Sequence, residues 1–184
     1  MGNKVNKSAG CRIVIVNGHP GCGKTTFEEM CRDIIGDAYC AFRSTVDKIK
    51  ELAAEGGWNG AKEPRDRKFL SDLKALFTEY NDMPLIDICN FLRGWEADLQ
   101  YWEVSDHPHV LFVDDREPEH IERLKQKLGA VTLLIKRPES ENQKFSNSSD
   151  ANVNEYRYDY IVMNDKDIDN LQFEAKRFVN WLFS

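Results

Sequence analysis

The stretch "NGHPGCGKTT", residues 17–26, follows directly on the apolar run Ile13-Val14-Ile15-Val16 and gathers three of the chain's eleven glycines into six residues. Its Gly18-x4-Gly23-Lys24-Thr25 spacing is that of a phosphate-binding loop, G-x-x-x-x-G-K-[ST]. Glycines allow the backbone to bend so that successive N–H groups converge on an anion, and a helix starting after the loop adds its positive end. On this reading Gly18, His19, Pro20, Gly21, Cys22, Gly23, Lys24, Thr25 and Thr26 surround the phosphates of a nucleotide. Lys24 bridges the outer phosphates and the Thr25 hydroxyl ligates magnesium. Cys22, close to a helix N-terminus, is expected to have a depressed thiol pKa and to be the most reactive of the five cysteines.

Working outward, short apolar runs alternate with helical periods. Strands are expected at residues 12–17, 39–43, 109–114, 131–136 and 160–163, and the first, third and fourth are apolar on both faces. Helices are expected at 24–35, 45–55 (with Thr45 as its cap), 64–80, 85–102, 118–128 and 167–183. In the 64–80 segment, Phe69, Leu73, Leu76, Phe77 and Tyr80 mark one face. Strand alternating with helix predicts an α/β, three-layer domain of the P-loop NTPase type, with a parallel sheet of about five strands. Two consecutive helices between the second and third strands read as a helical, substrate-covering insert over 56–104, and the polar stretch 138–158 as a lid-like loop. Residues 1–10 read as a flexible tail and 11–184 as one domain.

Composition narrows the partners. A net charge of −6 in 184 residues disfavours stable nucleic-acid binding, and no apolar stretch has the length of a membrane span. Five dispersed cysteines without a C-x-x-C pair suit reduced thiols in a cytoplasmic protein rather than a disulfide framework or a zinc site, and the four histidines show no ligand spacing. Trp58, Trp95 and Trp102 read as core residues rather than base-stacking platforms, and Lys62, Arg65, Arg67, Lys68 and Lys74 as a solvated helix face. The chain is expected to be a monomer or homodimer.

A nucleotide loop needs a second magnesium anchor, and Asp114, ending the apolar run from His109, supplies one. A GTPase would want Asp-x-x-Gly there, where Asp114-Asp115-Arg116-Glu117 stands, and Asn-Lys-x-Asp after a later strand, where Lys136-Arg137-Pro138-Glu139 stands. A small-molecule kinase fits the length best, using ATP and Mg2+.

Several segments beyond the loop resemble the bacteriophage and bacterial deoxynucleoside monophosphate kinases, within the P-loop nucleotide kinases. These are Asp47-Lys48-Ile49-Lys50-Glu51-Leu52-Ala53, Arg65-Asp66-Arg67, Asp114-Asp115-Arg116 with Glu119, Lys136-Arg137-Pro138, Asn147-Ser148-Ser149-Asp150, and the run from Tyr158 to Asp165. The resemblance implies phosphoryl transfer from ATP to a nucleoside monophosphate. By the same resemblance Asp47, Lys50 and Arg67 face the acceptor, and Arg116 and Arg137 neutralise phosphoryl charge, so that Lys24, Asp114 and Arg116 form the catalytic set. Two further readings stand beside it. One is a kinase for a hydroxyl-bearing metabolite, dephospho-coenzyme A-like, with Asp47 as base. The other is a weakly catalytic nucleotide-binding accessory protein, consistent with a lid segment lacking the family's histidine.

Overall fold

A computed structural model describes residues 11–102, 107–141 and 152–184. In chain order the elements are β1 (Cys11–Asn17), α1 (Lys24–Ile35), a 3-10 turn (Asp37–Tyr39), β2 (Cys40–Ser44), α2 (Asp47–Glu55), α3 (Pro64–Asn81), α4 (Met83–Tyr101) and β3 (His109–Asp114). There follow α5 (Pro118–Leu128), β4 (Val131–Lys136), α6 (Pro138–Glu141), a second 3-10 turn (Asn152–Glu155), β5 (Tyr160–Met163) and α7 (Ile168–Leu182). The five strands form one all-parallel sheet in the order β2-β3-β1-β4-β5. This is the α/β layered fold that the alternating pattern predicts.

The double-sided apolar strands explain the layering. Along β1, Val14 and Val16 point to one face, where Phe27 and Cys31 of α1 and Leu171, Ala175 and Phe178 of α7 cover them. Ile13 and Ile15 point to the other, under Ile88 and Leu92 of α4 and Ile121 and Leu124 of α5. A period of two on a strand must feed two cores, so both faces need helices.

Boundaries shift for local reasons. Tyr39 closes the 3-10 turn instead of starting β2, so that strand begins at Cys40. Thr45 does not cap α2: Val46 precedes the helix without a side-chain cap, and the Asp47 carboxylate reaches back to the Ser44 N–H at 2.7 Å. A single residue, Asp82, separates α3 from α4; its φ of 58° is the left-handed turn that ends the first helix, and Pro84 sits in the first turn of the next. Asp167 caps α7, accepting from the Asn170 N–H at 2.9 Å.

Two expectations about packing are overturned. On α3 the anticipated apolar face is largely exposed, with Phe69 at 44%, Leu76 at 65% and Tyr80 at 83%, while Asp66 and Lys74 are the buried residues. Lys74 therefore does not belong to a solvated face. Of the three tryptophans expected in the core, out of four in the chain, Trp102 is exposed at 71%, and Trp58 and Trp95 are half-buried. Ile88 and Leu92 make α4, within the 56–104 segment, a core layer of the sheet. Within 138–158, Val153 and Tyr158 are buried in that same core, and residues 142–151, including Asn147 to Asp150, lie outside the described residues. The 1–10 tail does as well. Among the described residues no helix is long and apolar enough to cross a membrane.

Candidate phosphate-binding site

The loop from Gly18 to Gly23 leaves the carboxyl end of β1 and turns into α1. Its shape is held from several directions. Asn17 is fully buried; its Oδ1 accepts from the Gly18 N–H at 2.7 Å, and its Nδ2 donates to the Tyr158 hydroxyl at 2.7 Å and the Arg116 carbonyl at 3.3 Å. The Cys22 N–H donates to the His19 carbonyl at 3.1 Å, and Asn164, just past β5, donates from Nδ2 to the Cys22 carbonyl at 2.9 Å. Glycine is required at two places. A Cβ on Gly18 (φ +151°) would meet the Ile135 carbonyl at 2.5 Å, and one on Gly23 (φ +96°) would meet Asn164 Nδ2 at 2.5 Å.

The start of α1 is open to an anion. Gly23 precedes the helix, and no side chain caps the N–H groups of its first turn. Those amides carry the helix's partial positive charge. Nothing stands within 4 Å of a Cβ built on Gly21, so the loop's outer surface is clear. Lys24 Nζ donates to the Gly18 carbonyl at 2.8 Å, which holds the ammonium over the loop. Thr25 is exposed and Thr26 half-buried in the same turn; Pro20 is half-buried and His19 buried.

Cys22 corrects an expectation. Its side chain is 1% exposed, and burial pushes the thiol pKa up despite the opposing charges of Lys24 and Arg116. Desolvation outweighs the helix terminus here.

Asp114 ends β3 in register with Val16 of β1 and Ser44 of β2, at the same carboxyl edge as the loop. Its Oδ1 is buried and has no hydrogen-bond partner. Burial raises its pKa, Lys24 and Arg116 pull it down, and Asp47 pushes it up again. A second buried carboxylate, Glu28, stands beside it at 6% exposure; burial first and the Asp114 charge second push its pKa up to about 8. Two carboxylates and the Lys24 ammonium thus share one poorly solvated corner. The buried, unpartnered Asp114 oxygen and the exposed Thr25 hydroxyl on the first turn of α1 are both oxygen donors of the kind a hard cation such as magnesium takes.

The remaining predicted residues fall at varying distances from this corner. Asp47 and Lys50 act electrostatically on Asp114, and their own ion pair is 3.5 Å long. Arg116 follows Asp115 on the segment leaving β3, half-buried, and its charge reaches Asp114 and Cys22. Arg67 is exposed on the first turn of α3 and donates from Nε to the Lys62 carbonyl at 3.1 Å. Arg137 is exposed after β4, where its Nε pairs with Glu139 at 3.2 Å.

Sequence reasoning missed Glu28, Asn17, Asn164, Lys74 and Asp115. Glu28 had a signal, since four residues after Lys24 it shares that residue's helix face. Lys74 and Asp115 form a buried ion pair at 3.1 Å that ties α3 to the segment after β3; Asp115 Oδ1 also accepts from the Arg116 N–H at 2.7 Å. Asp115 Oδ2 is buried with no hydrogen-bond partner. It borders a narrow pocket between α3, α4 and α5, lined also by Thr45, Thr78, His120 and Arg123. Burial works against the charge on neighbouring Glu117, but a hydrogen bond from His120 and the Lys74 charge prevail and hold its pKa down to about 2.

Strand order, parallel pairing and a glycine loop between β1 and α1 define a P-loop NTPase fold. No family profile matches the chain. No curated protein matches it either. Among solved structures it is similar to a sugar kinase from Janibacter (16% identity, TM-score 0.49, 94% of this chain and 94% of that one). It is also similar to an APS kinase of Mycobacterium tuberculosis (15% identity, TM-score 0.43, 94% and 97%) and a thymidylate kinase from Ehrlichia chaffeensis (12% identity, TM-score 0.39, 92% and 99%). Likenesses this loose bear on nothing finer than the fold.

Proposed function

We propose that the chain is a small-molecule kinase that transfers the terminal phosphoryl group of ATP to a nucleoside monophosphate. The observation that carries the reading is the buried, unpartnered Asp114 Oδ1 beside Lys24 at the mouth of an uncapped helix. Phosphoryl transfer needs charge neutralisation and alignment more than covalent chemistry, and this corner offers both. Thr25 and Asp114 would hold Mg2+, which supplies neutralisation of the phosphate oxygens. The loop amides and Lys24 bind and orient the phosphates, and Arg116 adds charge on the acceptor side.

On this reading the acceptor lies beside the ends of β2 and β3. There Lys50, paired with Asp47 at 3.5 Å, offers a cation to the acceptor phosphate. Asp47 supports a monophosphate over a hydroxyl acceptor. One of its oxygens takes the Ser44 N–H and the other faces Lys50, which suits positioning rather than proton abstraction. A phosphate acceptor is already a nucleophile and needs no such base. The segments that resemble deoxynucleoside monophosphate kinases support the same substrate class.

The test is ADP formation from Mg-ATP with a panel of nucleoside monophosphates, dephospho-coenzyme A and sugars. Turnover with a monophosphate is expected. Turnover only with hydroxyl acceptors, or with none of the panel, overturns the reading.

A further inference from the structure

We infer that Cys11, Glu96 and His109 form a binding site for one zinc-class divalent ion at the amino end of the sheet. Cys11 opens β1 and His109 opens β3, and the two are paired in register across parallel strands. Glu96 reaches them from α4. Ligand atoms of all three lie within 4.8 Å of one another. Around a tetrahedral zinc such atoms stand roughly 3.5 Å apart, so small rotations of Cys11 and Glu96 close the site.

The imidazole is set up for coordination. His109 is 1% exposed, and its Nδ1 lies 2.8 Å from the His107 carbonyl. A carbonyl only accepts, so Nδ1 carries the proton and Nε2 presents its lone pair. A ring nitrogen donating to backbone while the other binds metal is the usual outer-shell arrangement of a histidine ligand. Trp95, next to Glu96 on α4, packs edge-on against the ring at 5.3 Å and 82°, which fixes its plane. A thiolate, an imidazole and a carboxylate together select zinc-like ions and not magnesium, which takes oxygen ligands.

The site lies away from the phosphate loop. Cys11 and Asn17 occupy opposite ends of β1, about 20 Å apart at the usual strand rise. A metal here fastens α4 to the starts of two strands and takes no part in phosphoryl transfer. Three protein ligands leave a fourth position for water.

Cobalt titration of the chelator-treated full chain tests this without nucleotide. One equivalent of Co2+ should give tetrahedral ligand-field bands and a thiolate-to-cobalt charge-transfer band, and Zn2+ should displace it. Co2+ bound at Asp114 and Thr25 cannot give the thiolate band, so the two sites are distinguished. Cys11→Ser should abolish that band, and Glu96→Gln, which alters a half-buried side chain, should weaken binding by more than the roughly 10–100-fold of an outer-shell loss. His109→Gln should do the same where circular dichroism shows it folded. A folded wild-type chain without the band, or Cys11→Ser binding Co2+ with wild-type affinity and spectrum, overturns the proposal.

Discussion

Lys24 and Cys22 sit two residues apart, and the loop treats them oppositely. The ammonium rests on the Gly18 carbonyl over the loop, whereas the thiol is packed beneath it. Lys24→Ala should therefore leave the fold intact, because the side chain fills no core space. Phosphoryl transfer should fall by about 10²–10³ or more, as it does when one preorganised donor to developing charge is removed. Urea denaturation and single-turnover assays on the same preparation separate the two effects, and unchanged turnover would count against the loop's role. For Cys22 the expected outcome is protection. Its raised thiol pKa and near-zero exposure predict that alkylation of the native chain reaches half-buried Cys89 first, with or without Mg-ATP. Mass spectrometry showing Cys22 modified first would restore the reactive-thiol reading. That reading was natural from sequence alone, where proximity to a helix start is visible and the Asn17 and Asn164 braces that bury the loop are not.

At the scale of elements, α1, β3, α5, β4 and β5 fall where their patterns place them, because each carries its own start and stop: glycine before α1, proline opening α5, Gly129 closing it in a left-handed turn. The face of α3 was not legible. Phe69, Leu76 and Tyr80 of its apolar stripe are exposed, Leu73 and Phe77 only half-buried, and the buried anchor is a charge, Lys74, against Asp115 with Glu117 nearby. Hydrophobic periodicity finds buried faces only when the partner surface is apolar, and the segment leaving β3 is charged. Lys74→Ala leaves the Asp115 carboxylate buried without its cation and should cost about 3–5 kcal/mol in urea unfolding. The double variant Lys74→Met with Asp115→Asn keeps an acceptor for the Arg116 N–H while removing both charges, so it should recover most of that loss. A double variant as unstable as the single one would show that packing of the lysine stem, not the ion pair, is the anchor.

For the whole molecule, the sheet was readable because β1, β3 and β4 are apolar on both faces, a pattern that admits few architectures. Contacts that close the site across the chain, Asn17 to Tyr158 and Cys22 to Asn164, span more than 140 positions and leave no local trace. The same long-range closure puts two carboxylates into opposite environments, and the fold's pH response follows from them. Glu28 has its pKa raised from an ordinary 4.5 to about 8, so the folded state binds its proton more tightly than the unfolded chain. That stabilisation is complete below about 4.5 and is lost as pH climbs through about 8. Half-buried Asp114, also shifted upward by desolvation, acts in the same direction. Glu117 is the reverse: held at about 2, it stabilises fully above about 4.5 and ceases to as pH falls through about 2. The nucleotide-free chain should therefore have its highest urea midpoint in mildly acidic buffer and decline on both sides. Glu28→Gln, which mimics the protonated carboxyl, should flatten the alkaline decline between about pH 5 and pH 8 and leave the acid limb alone. Glu117→Gln should blunt the acid limb instead. Midpoints that fall with pH as steeply in Glu28→Gln as in the wild type would assign the alkaline limb to a different group.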